Sequence, residues 1–158
     1  MDQSTGKVFS ALAVSVDGYI TGRDPRAGQG LGDGGILFDW YFAGDTPSRE
    51  FDGFRLSEAS ARVFDEAAAR IGAVVVGRTT FEDSERFGGG SPHPKAPLVL
   101  LSHRAAEGLV DELILHQVPV LLGAGRPFFQ ELPEHIRLTV AEVVPADGVT
   151  HIRYEVQK

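Results

Sequence analysis

Cysteine is absent from this 158-residue chain. That excludes a disulfide scaffold, thiolate catalysis and any zinc site built on cysteine. Positive charge is scarce as well: 15 Lys and Arg stand against 22 Asp and Glu, a formal net charge of −7. Proteins that neutralise phosphate backbones usually carry the opposite sign, so no nucleic-acid partner is expected. No apolar run is long enough to span a membrane, so no membrane partner is expected either. Met1 to Lys7 are polar and lack the apolar core of a signal peptide. The expectation is a soluble, cytoplasmic protein. Repeats and low-complexity tails are also missing.

Glycine, by contrast, is plentiful at 19 residues, with nine prolines beside it. This composition points to tight turns and to backbone that approaches a ligand closely. The length suits one domain, residues 1–158, with a respectable core.

Lys7 to Val16 is almost continuously apolar and predicts a strand buried on both faces of an α/β sheet. Asp17-Gly18 breaks it. Arg23 to Gly53 reads as a long Gly/Asp-rich loop around an aromatic cluster, Phe38, Trp40, Tyr41 and Phe42, with room for a short helical turn. Such loops in compact domains are usually functional. Leu56 to Ile71 has apolar residues at helical spacing, with Ser57 as cap and Gly72 as stop, and predicts burial of Val63, Phe64 and Ala67. Ala73 to Val76 and Leu98 to Leu101 read as short buried strands, and Glu112 to Val118 as another strand. Arg126 to Leu132 reads as a short helix. Arg137 to Val144 and His151 to Val156 predict an antiparallel pair joined through Pro145 to Gly148.

Two turns are candidates for chemistry. Gly77-Arg78-Thr79-Thr80 reads as a strand-to-helix turn, where free N–H groups, a guanidinium and hydroxyls can hold an anion. The plainer alternative is a threonine cap with a solvated arginine. Ser102-His103-Arg104 follows a buried strand, at the end where open α/β sheets bind ligands, and Arg104 suits a phosphate. Its alternative is an ordinary polar loop. His116 alternates with apolar neighbours, which favours a packed or solvated role over a catalytic one. The five histidines show no metal-ligand spacing, so no metal is expected. Glu58 and Asp65 can share a helical face, a spacing common on solvated helices. Trp40 and its neighbours can wall a flat ligand or form a secondary core.

The chain resembles the dihydrofolate reductase-like superfamily, in particular the bacterial riboflavin-biosynthesis reductase (RibD) C-terminal domain family. Ser10 to Ile20, Gly30 to Gly35 with Asp39-Trp40, Gly72 to Glu82, Pro97 to Arg104, and Gly108 to Leu113 continuing to Pro119–Gly125 carry the likeness, in family order. The resemblance implies a mostly parallel sheet flanked by helices with a C-terminal antiparallel hairpin. It also implies an NADPH-dependent reductase of a pyrimidine- or pterin-like molecule, similar to 5-amino-6-(5-phosphoribosylamino)uracil reductase. By the same resemblance, Ala13 and Ile20 flank the nicotinamide and Gly22 lies in the loop beside it. Gly77, Arg78, Thr79 and Thr80 serve the pyrophosphate, and Ser102 and Arg104 the adenosine 2′-phosphate. Trp40 and Glu58 fall on the substrate side.

One departure stands out. In the family a few dozen residues lie between the Arg104 position and the strand near Leu109, supplying an edge strand, a central strand ending in a glycine pair, and two helices. Here only Ala105 to Glu107 separate those positions. Without the central strand, the Lys7–Val16 and Ala73–Val76 strands are expected to pair directly, or a homodimer to cover their edges. The family's catalytic carboxylate falls near Ala61, so no catalytic acid is assigned. A non-catalytic relic acting as a small-ligand binder or assembly module is the alternative to the enzyme.

Overall fold

In the computed structural model, which describes residues 6–101, 110–130, 132 and 134–158, an uncharged run opens the fold. In chain order the elements are strands β1 (Phe9–Ser15), β2 (Thr46–Pro47) and β3 (Arg55–Leu56), helix α1 (Glu58–Ala69), strand β4 (Val74–Gly77), helix α2 (Arg78–Asp83), and strands β5 (Leu98–Leu101), β6 (Glu112–Val118), β7 (Leu138–Ala146) and β8 (Val149–Val156). The architecture is mixed α/β. Its main sheet has the order β1-β6-β8-β7. β1 runs parallel to β6, from Phe9 opposite Glu112 to Ser15 opposite Val118, while β8 is antiparallel to both β6 and β7. Asp147-Gly148 closes the β7–β8 hairpin, with Gly148 at φ +72° as such a tight turn requires. Among the described residues no helix is long and apolar enough to cross a membrane.

The core forms where a 3-10 turn, Gly35–Phe42, drives Leu37 and Trp40 against β1 and the start of α1. Leu37 and Leu56 are fully buried, and Ala13, Ala61, Val118 and Val149 complete the cluster. Each fully buried aliphatic side chain contributes about 1.5–3 kcal/mol. Helix α1 starts as its sequence predicts: the Ser57 hydroxyl accepts from Ser60 N at 3.3 Å. At its other end the buried His93 ring donates from Nε2 to the Ala68 carbonyl at 3.1 Å, adding to the bond that carbonyl accepts from Ile71 N in the last turn.

Several expectations need correction. The helix is shorter than Leu56 to Ile71, and its most buried residues are Ser60, Ala61, Asp65 and Ala68, with Val63, Phe64 and Ala67 half-buried. Asp65 sits inside because Ser48 Oγ and Arg49 N donate to its carboxylate at 2.6 and 3.0 Å, turning that face toward the loop. No helix forms over 126–130, because Pro127 bridges to Tyr19 and Phe128 N donates to the Gly18 carbonyl. The main sheet is mixed, since two of its three pairings are antiparallel.

The largest correction concerns β1 and β4. They do not pair. Among the described residues β4 pairs only with β5, in parallel from Val74–Leu98 to Gly77–Leu101, as a separate two-stranded sheet. Among the described residues β1 is consequently an edge strand, and its faces are not fully covered: Leu12 is 37% exposed, and Val75 on β4 is 52% exposed. Continuous apolar character was therefore a guide to strand formation here, and not to burial on both faces.

Candidate functional site at the strand ends

The end of β1 is fastened to the segment after β6 by one carboxylate. Asp17 accepts from Ser15 Oγ at 2.6 Å, Leu122 N at 3.1 Å and Gly123 N at 2.7 Å. The Ser15 hydroxyl, which has the largest effect, and the Gly123 and Leu122 amides together hold its pKa below the ordinary carboxylate value, against the opposing effect of desolvation. Ile20 N donates to the Arg126 carbonyl at 2.9 Å, and Arg126 N donates to Thr21 Oγ1 at 2.9 Å. The backbones pack so closely that side chains are excluded at two positions. A Cβ on Gly22 would lie 2.0 Å from Asp33 Oδ1, and one on Gly125 would lie 1.9 Å from the Thr21 carbonyl, with Gly125 at φ +137°.

Across from this knot, β4 ends at Gly77 and α2 begins at once. Gly77 is extended and gives the helix no side-chain cap. Arg78, Thr79 and Thr80 are exposed, and Arg78 makes no salt bridge among the described residues. Space around Gly77 is open. The far end of α2 returns to the knot: Asp83 pairs with Arg126, and its carbonyl accepts from Gly28 N at 3.2 Å. Beyond it, Glu85, Arg86 and Phe87 adopt left-handed backbone before the glycine run, a conformation that costs an L-residue roughly 1–2 kcal/mol.

The structure thus brings Ile20 and Gly22 toward α2 through Arg126. Ala13 lies on β1 opposite His116, its side chain in the core at 5% exposure. Ser102 and Arg104 lie outside the described residues. Trp40 and Glu58 are placed elsewhere. Trp40 is sealed in the core, and Glu58 lines a shallow depression with Arg62 and the hairpin residues Pro145 and Asp147.

A buried polar chain escaped the sequence reading. His116 and His151 face each other across β6 and β8, Nδ1 to Nδ1 at 2.8 Å, and His151 Nε2 meets Ser60 Oγ at 2.9 Å. Trp40 lies against both rings, with centroids at 5.0 and 5.1 Å. Burial lowers the His116 pKa to about 3, helped by His151. It lowers that of His151 to about 4, helped by the Arg62 charge. Their separation of 35 residues is set by strand register, which leaves no signal in a local window. Among the described residues no group of three or more His, Cys, Asp or Glu is placed to hold a metal ion.

A candidate riboflavin biosynthesis protein from Shewanella sp. PV-4 is similar in structure, with a TM-score of 0.62 at 20% identity, covering 95% of this chain and 98% of that one. At this identity the likeness is one of fold. Two structures of Acinetobacter baumannii RibD also match. Form 1 has a TM-score of 0.46 at 13% identity over 98% of this chain and 60% of its own; form 2 has 0.27 at 21% identity over 51% and 25%. These scores are too low to add to the argument. No protein-family model matches the chain, and no curated protein does.

Proposed function

We propose that this protein is an NADPH-dependent reductase of a pyrimidine- or pterin-like small molecule, with a reaction like that of 5-amino-6-(5-phosphoribosylamino)uracil reductase. The observation that carries the reading is the Gly77–Thr80 turn. Its glycine faces open space, its helix start has no side-chain cap, and Arg78 has no described ionic partner. It opens at the end of a parallel strand, where α/β sheets bind ligands, on the side to which Arg126 ties Ile20 and Gly22. These residues fit a dinucleotide phosphate, since a guanidinium and hydroxyls supply several donors. The fold likeness to the Shewanella protein supports the same reading.

In this scheme Arg78, Thr79 and Thr80 bind the pyrophosphate, and Arg104 with Ser102 selects the 2′-phosphate. Ile20 and the outward backbone of Ala13 border the nicotinamide, and the closely packed Gly22 loop excludes water beside it. The cofactor, when bound, supplies the hydride. The residues of this chain therefore need only bind and orient, and no carboxylate is assigned as proton donor.

One observation favours the second reading, a non-catalytic small-ligand binder. The β4–β5 pair that carries the phosphate turn is not joined to β1, so the two halves of the site are less firmly aligned. Calorimetric titration with NADPH and NADH tests the first proposal. The expected result is weak binding that prefers NADPH and is lost in Arg78→Ala. Equal affinity for the two, or binding indifferent to Arg78, overturns it. Binding without oxidation of NADPH by any pyrimidine or pterin acceptor supports the second reading.

A further inference from the structure

Helix α1 does not close completely onto the main sheet. Between its second half and strands β6, β8 and β7 lies a cavity of about 230 Å³. Its floor is buried, with Ile114 and His151 at 3% and 2% exposure. Val63 and Ala67 on the helix and Val144 on β7 line its sides. Its opening is ionic and more exposed, with Glu66, Arg70, Glu142 and Arg153 around it.

The charged groups at the opening are not equally engaged. Arg62 on α1 pairs with both carboxylates, Glu66 at 3.7 Å and Glu142 at 3.2 Å. Arg70 pairs with Glu112 at 3.0 Å and lies over the Phe9 ring. Arg153 differs from these. Its one described ionic partner is Glu142 Oε2 at 3.9 Å, too far for a hydrogen bond. A guanidinium carries five N–H donors in a planar fork that matches a carboxylate. Here that fork is 32% exposed at the edge of an apolar recess, where its charge is screened less than on open surface. Glu155 shares this face of the sheet two residues further along β8, but it is exposed, so water screens its charge. The field at the floor is positive: after burial, the Arg62 charge is the next cause of the lowered His151 pKa.

We propose that this cavity binds a small organic acid of one ring, with its carboxylate on Arg153 and its apolar body between α1 and β6. The volume sets the size. An apolar cavity of about 150 Å³ accepts benzene, so one of about 230 Å³ holds a ring with a substituent and excludes a dinucleotide. The opening sets the charge. A cation would meet two arginines there, and the two carboxylates are already held by Arg62. A neutral ring would leave the Arg153 fork without an acceptor. None of the lining residues is assigned to the cofactor, so this inference stands apart from the proposed reductase activity.

Benzoate is the probe. Methyl-resolved NMR of the full chain during a benzoate titration should show saturable shifts at Val63, Ile114 and Val144, with a millimolar dissociation constant as suits so small a ligand. Benzamide and benzylamine have nearly the same shape but are neutral and cationic, and each should bind about tenfold more weakly or worse. Arg153→Gln should weaken benzoate by about tenfold. Its melting temperature should barely change, because the lost ion pair is long and partly exposed. Ala67→Leu should fill the cavity and abolish the shifts without loss of stability. No saturable shift by about 20 mM benzoate, equal binding of benzamide, or benzoate binding unchanged in Arg153→Gln overturns the proposal. The benzamide comparison uses the unaltered chain and decides the matter even where a variant fails to fold. Shifts confined to Gly77–Thr80 and lost in Arg78→Ala also overturn it, since the acid would then sit on the phosphate turn.

Discussion

Lowering the pH from 7 to 4.5 should destabilise this protein through two residues, His116 and His151. Both are nearly inaccessible, at 3% and 2% exposure. With their Nδ1 atoms 2.8 Å apart, one ring must donate and the other accept, so two imidazolium ions do not fit. Trp40 packs against both rings, so a new charge there would meet an apolar face. In the unfolded chain each ring titrates near 6.5, whereas in the fold burial lowers His116 to about 3 and His151 to about 4. Above pH 6.5 both states are neutral and the pair makes no pH-dependent contribution. Below it the unfolded chain takes up protons that the folded one refuses, so stability falls with pH until the folded values are reached. Each ring costs about 1.4 kcal/mol per pH unit, hence about 3 kcal/mol at pH 4.5 and about 5 kcal/mol for the pair. That is a large part of a typical net stability of about 5–15 kcal/mol. The carboxylates Asp17, Asp111 and Glu112 have values lowered from 3.8, 3.8 and 4.5, so their own losses start only at the low end of this window, as the unfolded carboxylates begin to protonate. Urea unfolding at pH 7, 6, 5 and 4.5 measures the slope, and His116→Asn/His151→Asn should flatten it, whatever that variant's stability at pH 7. An equal slope in wild type and variant, or none in wild type, would refute the assignment. Imidazole chemical shifts that report protonation at pH 5.5 would refute it directly.

Two further outcomes follow from particular contacts. Ser57→Ala removes the acceptor for Ser60 N and should cost about 1 kcal/mol in chemical denaturation, while Ser57→Asp should recover most of it. Gly125→Ala must move the Thr21 carbonyl from 1.9 Å and adopt φ +137°. It should therefore lower the melting temperature far more than Gly77→Ala, where a Cβ meets nothing.

Local chemistry was legible in the chain by itself. The serine before an amphipathic run capped α1, the apolar alternation of Glu112 to Val118 became β6 with those bounds, and Asp-Gly between two β-rich runs became a hairpin turn. Each depends on neighbours within a few residues, where backbone preference and side-chain periodicity act. The Gly77–Thr80 turn was legible for the same reason, as a strand stop followed directly by a helix start. What lay beyond the sequence depends on contacts between distant segments. The pairing of His116 with His151 comes from the β6–β8 register, and the burial of Trp40 from the 3-10 turn docking on those strands. The separation of β4 from β1 was invisible for a different reason. An apolar run encodes a strand's readiness to be covered, but which edge, if any, covers it is decided when the chain's far parts meet; here Arg70 reaches Phe9 on β1 and Glu112 on β6, Arg126 reaches Asp83 on α2, and β1 and β4 share no ladder.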